Sequence, residues 1–292
     1  MKRRGTRVPR RPGGLAGWLK EVNFRAHDRT NRRMGRRGSK SVKAAIATRA
    51  EVEESAGWWV RGLRWLVGLL LIGPCVVTTW SFLSLVADAT LEHHFWTTAA
   101  FWYFATGVLL MAGWFATGLL RSGFLYLYVL GHELTHIVVI KVFRGRVSDW
   151  GVSVSGGFVT TDKTNIVIAL APYFVPFWSL VLLAIYGLVR LAVPMPPVGE
   201  KVLYWLLGFS WAFHLMWTLW MIPRDQPDLR ENGTFLSLII IYLVNLLLLV
   251  GMLCLASDDL SFRNFLATWV IHAEEGLRWL EESLAWLMHR VA

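Results

Sequence analysis

Six stretches of this chain are long and apolar enough to span a hydrocarbon layer of about 30 Å, with little polar sequence between them. They run near 66–87, 95–120, 122–143, 165–193, 202–222 and 234–255. Hydrocarbon offers the backbone no hydrogen-bond partners, so each stretch must close its own bonds as a helix. The expected fold is an all-α membrane protein with about six transmembrane helices. Composition agrees: of 292 residues, 55% are hydrophobic and only 17% charged, which argues against a soluble two-domain protein. The 17 tryptophans suit membrane interfaces. The two cysteines, Cys75 and Cys254, lie in apolar segments and supply neither a disulfide framework nor a cysteine zinc site.

The net charge of +10 belongs to one end. Residues 1–65 hold 18 of the 30 Lys and Arg against five acids. Basic clusters separated by Gly and Pro give a disordered, cytoplasmic tail that attracts anionic lipid headgroups. Nucleic acid is not an expected partner, because no aromatic-basic fold follows the tail. The chain then divides into this tail, a polytopic core at 66–256 and a C-terminal segment at 257–292. Within the last, apolar residues at helical spacing over 260–288 predict an amphipathic helix, on the membrane or against the bundle. The only sizeable polar connection between spans, 144–164, carries Val147, Val152, Val154, Phe158 and Val159 around Gly156-Gly157, which predicts a short β-hairpin.

Chemistry enters at His132-Glu133-Leu134-Thr135-His136, inside the apolar run 124–142. On a helix, histidines at i and i+4 share a face and can hold one Zn²⁺, with the intervening glutamate as general base toward a water. Three ionisable side chains at membrane depth are costly, so they point to function. A catalytic zinc needs a third protein ligand and an open position. Alternating spans would bring the fifth stretch back toward the 144–164 side. At a rise of ~1.5 Å per residue this sets His132 and His136 roughly 16 and 10 Å deep, and His214 roughly 12 Å. That agreement favours His214 as third ligand. Asp228 is the alternative: a carboxylate ligates well, but this one lies in a polar segment that would have to dip inward, and capping a turn is its simpler role. Thr218 and Asn245 are polar residues suited to helix–helix bonding or to orienting a ligand. Pro172 and Pro176 interrupt the fourth stretch and free backbone carbonyls there.

Three segments, Gly131-His132-Glu133-Leu134-Thr135-His136, Phe143-Arg144-Gly145-Arg146-Val147 and Ser155-Gly156-Gly157-Phe158-Val159, resemble the site-2 protease family of intramembrane zinc metallopeptidases. The resemblance covers about 126–177. It implies zinc held by His132 and His136, Glu133 as base, and a hairpin with paired glycines beside the active site. The sheet edge near Gly156 and Gly157 would then pair with an unwound substrate strand. The family's third ligand is usually an aspartate in an Asn- and Pro-rich motif ending Asp-Gly. Here Gln226-Pro227-Asp228-Leu229-Arg230-Glu231-Asn232-Gly233 is only a loose echo of it. The function expected is zinc-dependent endopeptidase action on a membrane protein or peptide. The alternative is a membrane scaffold or transport-related protein whose metal site is structural or vestigial.

Overall fold

The computed structural model describes residues 57–91, 98–224, 226–256 and 260–291. The basic tail at 1–56, His93, His94 and Asp225 lie outside the described residues. In chain order the elements are α1 (Trp58–Leu91), α2 (Ala99–Thr117), α3 (Arg121–Val142), β1 (Val147–Ser153) and β2 (Gly156–Thr161). There follow the short α4 (Ile166–Leu170) with a 3-10 turn at Ala171–Tyr173, then α5 (Phe177–Ala192) and α6 (Pro197–Met221). The short α7 (Pro227–Glu231), α8 (Thr234–Ala256) and α9 (Phe262–Val291) complete the chain. Among the described residues, five helices are long and apolar enough to cross a membrane, or six if α4 and α5 count as one span. Residues 58–65, assigned above to the tail, are helical instead. Trp58, Trp59, Val60, Leu63 and Trp65 carry the apolar run past Arg61 and Arg64, so the helix starts at Trp58.

Two pairs of parallel helices form the frame. In the first, Phe104 lies against Gly208, Met111 against Phe213, and Phe115 edge-on to Trp217, so α2 and α6 run the same way. Glycine permits the contact. A Cβ on Gly107 would strike the Trp205 carbonyl and one on Gly208 the Phe104 carbonyl, so the two backbones touch. In the second pair, Trp65 stacks on Phe235 near the start of both helices, and Thr79 bonds Tyr242 further along (2.7 Å), aligning α1 with α8. Helix α9 docks on α1 through Trp269 Nε1, which donates to Thr78 Oγ1 (2.9 Å), and through a Ser81–His272 hydrogen bond (3.0 Å). Its second half leaves Leu277, Trp279 and Trp286 exposed, and the long helices do the same with Leu70, Leu109, Leu188 and Leu191. Apolar surface on this scale is foreign to a water-facing monomer.

The fourth apolar stretch is not straight. Pro172 and Pro176 end α4 and its 3-10 turn, and α5 leaves at 80° to them. The simple alternation behind the depth estimate for His214 therefore fails. Helix α6 does not end at the 144–164 side of α3 but against its first residue: the Arg121 guanidinium lies 4.6 Å from the Trp220 ring centroid. From there the connection to α8 runs alongside α3. Its far end is tied where Glu231 accepts from Thr164 Oγ1 (3.3 Å), next to Lys163, whose Nζ donates to the Phe143 carbonyl (2.8 Å).

The hairpin forms within the predicted connection. Ser153 pairs with Gly156 and Trp150 with Val159, the turn is Val154-Ser155, and Ser153 Oγ donates to the Gly156 carbonyl (2.8 Å). Gly156 has φ 134°, a backbone conformation that side chains disfavour. Val159 packs on Ile140 and Ile168, which fastens the sheet to α3 and α4.

Replacing Gly208 with Leu should force α2 and α6 apart at a backbone-to-backbone contact and cost about 1–3 kcal/mol or more. Leu at Gly113, where nothing lies within 4 Å of an added Cβ, should be tolerated. Thermal unfolding of the two detergent-purified variants checks the contrast.

Candidate metal site

Helix α3 presents His132, Glu133 and His136 at its middle, all three nearly or fully buried. Gly131, just before them, is a point of close approach. A Cβ there would lie 2.8 Å from Trp178 Nε1, whose N–H donates to the Leu127 carbonyl (3.1 Å). Asp228 arrives on α7, carried past the histidines by the connection that runs along α3. Its Oδ2 lies 3.5 Å from Nε2 of His132 and 3.5 Å from Nε2 of His136. One ligand atom from each of the three residues falls within 4.8 Å of the others. Tetrahedral ligands about 2.1 Å from one ion stand about 3.4 Å apart, so the spacing fits a zinc-sized site of two imidazoles and a carboxylate.

The imidazole of His136 is held for that role. Its Nδ1 donates to the Ile168 carbonyl at 2.8 Å, leaving the Nε2 lone pair to face Asp228. The reason the carbonyl is open lies in the sequence. The residue four places on is Pro172, which has no N–H to return to Ile168. Asn165 caps α4 by accepting from Ile168 N (2.8 Å), which sets the direction in which that turn enters the site.

Glu133, 6% exposed, faces the hairpin. A Cβ on Gly157 would come 2.5 Å from Glu133 Oε1, so only glycine leaves the carboxylate its place. A cleft of about 250 Å³ opens over His132, Glu133 and Asp228. Gly156 and Gly157 of β2 form one wall, and Leu125, Val129 and Trp220 contribute apolar surface. Among the described residues, β2 forms a two-stranded sheet with β1.

His214 is buried but stands outside the group of three. It shares a small cavity with His132, near the Tyr173 backbone. Of the two third-ligand candidates, the fold brings Asp228 to the histidine pair. Thr218 bonds Tyr128 OH (3.1 Å) rather than His214. Asn245 Nδ2 donates to the Tyr173 carbonyl (2.9 Å). Sequence reasoning missed Tyr173, whose hydroxyl lies 3.3 Å from Asp228 Oδ2. Its signal was the Pro172/Pro176 pair: residues beside a break in an apolar helix have polar backbone groups to satisfy.

Comparisons with protein-family models, with curated proteins and with solved structures each return no match.

Zinc analysis of the purified full chain should give about one ion per chain, with His132→Ala, His136→Ala and Asp228→Ala each abolishing it. His214→Ala should retain the ion. Retention in Asp228→Ala together with loss in His214→Ala would reverse the assignment.

Proposed function

We propose that this chain is a multi-pass membrane protein and a zinc-dependent intramembrane endopeptidase of the site-2 protease kind. One observation carries the reading: two helix-borne histidines and an aspartate converge within 4.8 Å, beside Glu133, in a cleft walled by apolar side chains and strand β2. His132, His136 and Asp228 would hold the ion. A bound zinc supplies a Lewis acid that makes water acidic near neutral pH and polarises a carbonyl.

The chain's own residues account for the remainder. Glu133 lies on the cleft wall next to two of the ligands, where it takes the proton of the attacking water and later delivers it to the leaving amine. An extended segment laid along β2 satisfies its backbone on the strand and exposes its amides to the site. A helical segment does neither, because its amides are shielded and already bonded. The enzyme therefore selects substrates by how readily they unwind. The apolar outer faces of the long helices make the bilayer the setting, so the substrate is a membrane segment or one next to the membrane.

Glu133→Gln should keep the metal and lower hydrolysis by about 10²–10⁴-fold. Gly157→Ala should also keep the metal and lose most activity by displacing the carboxylate. The assay uses proteoliposomes with single-span reporter peptides that differ in Gly and Pro content within the span. A wild-type protein that holds zinc yet cleaves no reporter would instead favour a structural metal in a scaffold protein.

A further inference from the structure

Asp228 is the ligand least supported by its own element. The histidines ride on a helix of 22 residues, whereas Asp228 sits on a five-residue helix in a connection. A carboxylate there keeps its place only if something outside α7 holds it.

The surroundings supply one such group. Tyr173 is fully buried, and its hydroxyl lies 3.3 Å from Asp228 Oδ2 and 3.3 Å from Gln226 Oε1. Gln226 has its orientation set on the other side, where its amide Nε2 donates to the carbonyls of Met221 (3.2 Å) and Arg224 (3.1 Å). The phenol has a single proton, and an ionised carboxylate is the stronger acceptor, so the proton goes to Asp228. The Tyr173 ring stands edge-on to His132, centroids 5.0 Å apart at 89°. Its carbonyl, set free by the break before α5, accepts from Asn245 on α8. One residue thus touches two members of the metal group and is itself held by a third helix.

We propose that Tyr173 is the positioning residue of this metal site: its hydroxyl holds Asp228 in ligating position while its ring backs His132. The inference rests on the metal-site reading above and goes beyond it by making the helix break the element that assembles the third ligand.

The test is cobalt titration of the full chain in detergent, read by the visible ligand-field bands and by the rate at which a chelator removes the ion. Tyr173→Phe keeps the ring and its packing and removes only the hydroxyl. It should bind Co²⁺ about 10–100-fold more weakly, with altered band intensities and faster stripping. Tyr186→Phe is the control: that hydroxyl has no hydrogen-bond partner among the described residues, and its removal should change none of these readings. Circular dichroism and thermal unfolding of both variants separate a local loss from misfolding. Identical affinity and spectra for Tyr173→Phe and wild type would overturn the proposal while leaving the metal site standing. An equal loss in Tyr186→Phe would overturn it too, by showing a general effect of removing buried hydroxyls. A wild-type chain that takes up neither cobalt nor zinc would sink the metal site itself and the proposal with it.

Discussion

A backbone carbonyl that loses its helical donor inside an apolar bundle must find another, and the organisation of this site follows from that requirement. Pro172 withholds the donor that Ile168 would use, and His136 supplies one instead. Past the 3-10 turn, Asn245 donates to the Tyr173 carbonyl. A defect that would cost several kcal/mol if left unpaired becomes the scaffold that orients an imidazole and anchors a tyrosine. The same break turns the chain by 80° and changes where the next helix leads.

That redirection explains how an aspartate from a polar connection reaches the middle of α3. With α6 ending at the first residue of α3, the segment to α8 must travel the length of that helix before Thr234. It is held near its start by Trp220, flanked by the guanidiniums of Arg121 and Arg224, and at its end by the Glu231–Thr164 bond. Between those ties Asp228 is 6% exposed. Burying a carboxylate is unfavourable unless partners surround it, and here the tyrosine hydroxyl and two imidazoles do so.

Close approach is the second organising theme. Glycine stands wherever backbone or a functional group needs room: Gly107 and Gly208 between α2 and α6, Gly131 under Trp178, Gly157 against Glu133. The first two set the frame. Gly131 lets α3 close on Trp178 of α5, and Gly157 lets β2 lie against the Glu133 carboxylate.

The long apolar helices, a hairpin within 144–164 and the shared face of His132 and His136 were legible in the sequence, because each depends on periodicity or turn chemistry within a few residues. The helical start at Trp58 was misread only because two arginines interrupt an apolar run. The partner of the histidine pair was not legible. His214 and Asp228 both had suitable chemistry, and choosing between them required knowing how far the Pro172/Pro176 break bends the chain and at which end of α3 the next helix stops. Proline announces a break but not its angle. Packing of α6 on α2 and of the returning segment on α3 decided that angle, and with it which side chain meets His132 and His136.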